Sequence, residues 1–481
     1  MQAPVISSGD TAWVLISTAL VLFMVPGLAF FYGGLVRSKS ALNTMLMSLG
    51  ALAIVTVQWV LVGYSLAFGP GSTWIGGLSF FGLQGVTATP NPTYAAALPH
   101  LLFAAFQAMF AGITVALFSG AIIDRMRFVA YLAFGLIWTT LVYDPLAHWV
   151  WGDGGWLRTL GALDFAGGTV VHISAGVTAL VLAKVLGPRR DFKRVPTVPH
   201  NVPFALLGAG MLWFGWFGFN AGSALAADGI AANALVTTHA AAAASLLTWC
   251  LLELYKSGRA TAVGVATGAV VGLVAITPAA GFVTPMSALA IGCLAAPVSF
   301  FVLHYRAKTS LDDTLDVFAC HGVAGIMGAV LTGVFASKAV NPIGADGLLH
   351  GNPSLVGIQV LAVVATVAFA GTASFGILSA LKLVMPLRIR VDAEVQGIDL
   401  AEHGEEAYHG SDLSDLTGRR TALGDAVVLS ASDMRGSVVR RAEAATANCL
   451  GSREEGVRRE GQGHRAPSSC LLLPDPLLPA S

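Results

Sequence analysis

The sequence predicts an all-α polytopic membrane protein: two sets of five transmembrane helices of opposite sense, then an eleventh, tilted helix. Three observations carry this. Of 481 residues, 55% are hydrophobic and only 11% charged, whereas a soluble chain carries roughly a quarter charged residues. The apolar residues gather into about eleven stretches, each close to the ~20 residues that cross a bilayer. Basic residues recur in every second loop, as they do when alternate loops face the cytoplasm.

The first stretch, 11 to 36, follows a short segment whose first charge is Asp10. That segment has no basic n-region and no clear cleavage site, so no signal peptide is read, and residues 1 to 10 are placed outside the cell. Further spans are expected near 41 to 68, 99 to 123, 128 to 148, 165 to 186, 202 to 222, 232 to 254, 260 to 278, 286 to 305, 315 to 336 and 354 to 385. The last is long enough to need a strong tilt. One set of loops holds Arg37 and Lys39, Arg125 and Arg127, Arg189 to Arg194, Lys256 and Arg259, Arg306 and Lys308, and Arg388 and Arg390. The alternate set holds only Arg158 and Lys338. The N-terminus is then outside and the C-terminus cytoplasmic, which requires an odd number of spans.

The net charge is zero, which offers no basic surface to nucleic acid. Five cysteines form no CxxC and no metal spacing, and three of them lie in apolar segments, where Cys acts as a small hydrophobe. The 55 glycines cluster inside spans, where small residues let helices approach closely. Residues 391 to 481 form a cytoplasmic tail, expected to be largely disordered after 410, where Arg, Ser, Gly and Glu replace the apolar pattern.

The fifth span reads Asp164-Phe-Ala-Gly-Gly-Thr-Val-Val-His172-Ile-Ser-Ala-Gly176, and the tenth Asp316-Val-Phe-Ala-Cys-His321-Gly-Val-Ala-Gly325. Both hold His-x-x-Ala-Gly with an Asp before the His, and the loop charges run them in opposite directions. That is the plan of an inverted repeat, with the substrate route at the repeat interface. His172 and His321 can each be interhelical hydrogen-bond glue. Two at matching repeat positions favour an ion or proton pathway, since neutral imidazole both donates and accepts. No third ligand completes a zinc site, and no cofactor is implied.

Asp164 caps the fifth helix, and it also supplies a negative field near the outer mouth. Phe106 and Phe110 share a face of the third span, and Phe219 and Ser223 a face of the sixth, each pair four residues apart. Trp151 follows the fourth span. Aromatics here fit an interfacial belt, as for Trp149 and Trp156, or a cage that holds a small cation on ring faces.

These segments, with Trp216-Phe-Gly-Phe219-Asn-Ala-Gly-Ser223, Pro26 to Gly34 and Glu402 to Tyr408, resemble the ammonium transporter family (Amt/MEP/Rh), over residues 10 to 409. Trp151 places the chain on the Amt/MEP side. The resemblance implies eleven spans, a homotrimer with one pore per subunit, and ammonium and methylammonium as substrates. It implies recruitment by Phe110, Trp151 and Ser223, and a gate of Phe106, Phe110 and Phe219. It also implies twin pore histidines His172 and His321, and structural or electrostatic roles for Asp164 and Trp216. The loop before His172 is one residue longer than the family's usual spacing.

The expected mechanism is deprotonation at the gate, passage of neutral ammonia past the histidines, and reprotonation inside. A second reading is an ammonium sensor whose C-terminal segment meets PII-type signal proteins. A membrane enzyme is disfavoured, because no nucleophile has an orienting acid and no metal constellation appears.

Overall fold

The structure, a computed structural model, describes residues 5–408. The disorder expected after residue 410 lies outside the described residues. Among the described residues ten helices are long and apolar enough to cross a membrane: Ser8–Leu35, Ser38–Phe68, His100–Ser119, Phe128–Thr159, Gly168–Leu186, Val202–Ala224, Gly229–Ser257, Pro285–Arg306, Phe318–Phe335 and Ser354–Val384. Ala262–Ile276 is an apolar helix of 15 residues where the eighth span is expected. These bounds follow the hydropathy, because lipid leaves a helix no backbone partners but its own.

Ion pairs and hydrogen bonds show that the short eighth helix is a full crossing. Arg37, after the first span, pairs with Asp124, after the third, at 2.7 Å and with Asp191, after the fifth. Arg189, after the fifth span, pairs with Asp312, before the tenth, at 2.9 Å. These loops therefore share one end of the bundle, and the four helices from 202 to 306 must cross and return twice. At the opposite end Asn233, opening the seventh span, donates to Ala280 O and Val283 O beyond the eighth helix, at 3.2 and 3.0 Å. Among the described residues the total is eleven spans, with the predicted basic loops gathered at one end.

Helix starts are fixed by side-chain caps that accept the first free backbone N–H groups. Ser7, Asn201, Asp228, Thr261 and Thr284 do this for the first, sixth, seventh, eighth and ninth spans. The first span lies along the sixth, and the fifth crosses the tenth, so elements of the two repeats pair at the centre. Spans two, four, five, six and ten each contain a π-helical turn, at Trp59–Gly63, Thr139–Tyr143, Gly168–Ile173, Phe217–Ala221 and Phe318–Val323. Such turns rotate the following residues out of the regular register.

The segment after the eleventh span runs back across the basic end. Asp399 accepts from the backbone N–H groups of Leu42 and Asn43 at 2.9 and 2.8 Å. Glu394 accepts from Arg190 N and pairs with Arg388 at 2.8 Å. His403 lies 3.0 Å from Asn43 Oδ1 with its ring edge-on to Phe128.

Candidate functional site

The crossing of spans five and ten brings the two histidines together. His172 and His321 lie in the π-helical turns that open these spans, with Nδ1 to Nδ1 3.3 Å and ring centres 5.4 Å apart. The glycine of each His-x-x-Ala-Gly packs on the other span. A Cβ on Gly176 would strike the backbone of Gly322, and one on Gly325 would lie 3.2 Å from His172 Cβ and 3.1 Å from Gly168 O. The shared motif is thus a contact motif: its glycine gives the opposite histidine room.

Two carbonyl-free nitrogens 3.3 Å apart can share one proton, so one ring donates through Nδ1 and the other accepts. The pair is then neutral, with opposite tautomers. His172 Nε2 is buried with no hydrogen-bond partner among the described residues. Both rings border a narrow cavity of about 10 Å³ otherwise walled by apolar side chains such as Leu117, Leu212 and Val270, room for about one water-sized molecule.

A row of rings continues from the histidines. His172 stacks on Trp216 at 5.4 Å and on Phe219 at 5.9 Å. Phe219 lies 4.2 Å from Phe110, centre to centre, and Phe106 touches Phe110 at 4.9 Å. Phe110 and Phe219 are almost fully buried. Trp216 is held by its indole N–H, which donates to Thr277 Oγ1 at 2.9 Å.

Beyond the phenylalanines opens a cavity of about 310 Å³ whose lining includes Phe110, Trp151, Ser223, Asp164 and Gln107. Trp151 is 6.2 Å from Phe110, so the longer loop after it does not remove it from this group. Its indole N–H donates to Asp164 O at 2.9 Å. Ser223 donates to Phe219 O at 2.8 Å, which leaves its oxygen lone pairs as acceptors. Gln107, three residues before Phe110, was not singled out from the sequence; its Oε1 is buried and unpartnered among the described residues.

Asp164 is the cap that the sequence suggests, in an extended form. It accepts from Gly167 N, Gly168 N and Thr169 N at 2.7–2.8 Å, and from the Thr169 hydroxyl. Its counterpart in the second repeat is Asp313, not the Asp316 matched from the sequence. Asp313 accepts from Val317 N and Phe318 N at 3.0 and 2.8 Å and lies eight residues before its histidine, as Asp164 does. Asp316 instead pairs with Arg306 at 2.6 Å. Helix-cap geometry sets the eight-residue spacing, and the nearer Asp misled the match. At the basic end a third cavity, of about 320 Å³, is lined by residues that include Glu253, His304, Asp316 and Cys320.

Comparison with known proteins identifies the family. The model of the Ammonium Transporter Family matches residues 12–408. An ammonium transporter of Bacillus subtilis (strain 168) is 49% identical over 404 residues, covering 84% of this chain and 99% of that protein. The crystal structure of Saccharomyces cerevisiae Mep2 superposes with a TM-score of 0.77 at 36% identity, covering 85% of this chain and 92% of that one. A solved structure described as a sensor Amt protein matches with a TM-score of 0.76 at 30% identity, covering 82% and 98%. The chain therefore belongs to the ammonium transporter family, a family of membrane transporters and not of enzymes.

Proposed function

We propose that this protein carries ammonium and methylammonium across the plasma membrane, with the N-terminus outside and the C-terminus in the cytoplasm. The observation that carries the reading is the unbroken row Trp151–Phe110–Phe219–His172–His321, leading from a wide cavity to one of molecular width.

In the wide outer cavity the faces of Trp151 and Phe110 attract a small cation, and Ser223 Oγ and Gln107 Oε1 accept its N–H bonds. Size does not separate potassium from ammonium; hydrogen bonding and proton loss do. The Phe110–Phe219 contact leaves no room for a hydration shell, and an intact ion there meets a large desolvation cost. Ammonium can release a proton to outer water and go on as ammonia. The neutral histidine pair then offers one donor and one acceptor across the narrow cavity, in either tautomer. Reprotonation follows at the basic end. Asp164 holds the fifth span's entry and sets a negative field at the mouth. The basic loops support the orientation, and resemblance to the family supports a homotrimer.

The direct test is methylammonium accumulation in cells lacking their own transporters. The wild-type chain should accumulate it and Asp164→Ala should not; an inert wild type, correctly inserted, overturns the reading.

A second reading, a sensor signalling through its C-terminal segment to PII-type partners, draws on the Asp399, Glu394 and His403 contacts with the loops and on the sensor Amt likeness. Removing residues from 394 onward, with uptake and partner binding measured separately, decides it. Unchanged uptake with no partner bound counts against it.

A further inference from the structure

A short hairpin, Pro90–Asn91 paired with Ala95–Pro99, leads directly into the third span. Its turn is Asn91-Pro-Thr-Tyr94. Asn91 Oδ1 accepts from Thr93 N and Asn91 O from Tyr94 N, both at 3.1 Å, the local bonding that suits Asn to turns. The turn delivers Thr93 and Tyr94 to the lining of the wide outer cavity.

Tyr94 is held on two sides. Its ring stacks on Phe103 of the third span, 5.1 Å between centres and 11° from parallel. It also meets Phe68, at the end of the second span, edge-on at 5.2 Å. Phe103 lies seven residues before Phe110, two turns back on the same helix face. The Tyr94 ring is therefore set against the helix that carries Phe110. Its hydroxyl donates to Phe68 O at 2.7 Å and accepts from Asp153 N at 3.2 Å. One proton and two lone pairs allow both bonds together.

Asp153 belongs to the loop that follows Trp151, Gly152-Asp153-Gly154-Gly155. Glycine leaves a chain its greatest backbone freedom, and Gly154 uses it, at φ +77°. Trp151 is tied through its indole N–H to Asp164 O at 2.9 Å and through its carbonyl to Arg158 Nη1 at 2.6 Å. Neither bond reaches the third span, whose Phe110 ring lies 6.2 Å from that of Trp151. The Tyr94 side chain makes that link: its hydroxyl holds the loop after Trp151, and its ring rests on the helix of Phe110.

We propose that Tyr94 is a positioning residue of the outer cavity: its hydroxyl, between Phe68 O and the Asp153 amide, fixes the loop after Trp151 and so the spacing of the Trp151 and Phe110 rings. Its consequence for transport rests on the recruitment role proposed for these two rings; the placement of Trp151 does not.

The test uses Tyr94→Phe, which keeps the ring and its two aromatic contacts and removes only the hydroxyl. The full chain, labelled with 5-fluorotryptophan and reconstituted in lipid, is read by fluorine NMR, with the Trp151 signal assigned by its loss in Trp151→Phe. In Tyr94→Phe that signal should shift or broaden; an unmoved Trp151 signal overturns the proposal. In uptake assays the same variant should raise the methylammonium KM roughly 2- to 10-fold, the worth of a hydrogen bond, with little change in maximal rate. An unchanged KM overturns the positioning role. So does a raised KM with an unmoved Trp151 signal, because the hydroxyl would then act on the cation directly. An inert wild type would count against the transport reading while the NMR still decides the placement of Trp151.

Discussion

His172 and His321 face each other through their Nδ1 atoms at 3.3 Å, in rings 27° from parallel, at a crossing that Gly176 and Gly325 keep open. Removing either ring takes away one hydrogen-bonding group from the narrow cavity. A hydrogen bond contributes about 1–1.5 kcal/mol, so His321→Ala should slow methylammonium uptake roughly tenfold while the protein stays monodisperse in detergent. Uptake equal to wild type would show that the pair does not line the route.

Widening the glycine should do more. A Gly176→Val side chain would press on the Gly322 backbone, and overpacking of this kind costs about 1–3 kcal/mol. The expected outcome is a lower melting temperature together with lost uptake, read by thermal unfolding of the purified protein.

Asp164 satisfies three backbone N–H groups at 2.7–2.8 Å. Loss of a helix cap costs about 1–2 kcal/mol, so Asp164→Ala should lower the melting temperature as well as uptake. Asp164→Asn keeps one acceptor oxygen and should recover part of the thermal stability. Equal melting temperatures for all three proteins would contradict the capping role.

Trp151 forms one wall of the wide cavity. A cation held on an indole face gains about 1–2 kcal/mol when partly desolvated. Trp151→Ala should therefore raise the methylammonium KM by roughly 5- to 30-fold and leave the fold intact, as checked by concentration-dependent uptake.

The basic end supplies a pH dependence. Burial pushes the Asp312 carboxyl up, but hydrogen bonds from Arg189 and the charge of Arg125 outweigh it and hold the group below the usual carboxylate range. A depressed folded value contributes stability that is full above the unfolded carboxylate pKa of about 4 and is lost as pH falls through the folded value. Asp312→Asn should be less stable than wild type at neutral pH and should lose less stability than the wild type below pH about 4. Parallel acid-unfolding curves would contradict it.

Much of this molecule is legible in its sequence because lipid imposes simple rules. Apolar length and alternating loop charge locate the eleven spans, including the 15-residue helix Ala262–Ile276, since each reports a separate physical cost. The twin histidines were legible as a shared motif, although the reason for its glycine appears only where Gly176 meets Gly322. Asp313 was missed because a cap is chosen by backbone direction, and Asp316 lay nearer. Gln107 was missed because the residues that gather round it in the wide cavity come from other segments of the chain. The π-helical turns, as at Thr139–Tyr143, shift side chains off the regular helical period on which a sequence reading depends.

The central claim is that ammonium, and not potassium, passes through the row from Trp151 to His321. Purified protein in liposomes loaded with a pH-sensitive dye tests it most directly. An ammonium pulse should change the internal pH faster than in protein-free liposomes, with excess potassium leaving the rate unchanged and Phe110→Ala or His321→Ala altering it. A response no faster than in protein-free liposomes, or one that potassium reproduces, would contradict the account.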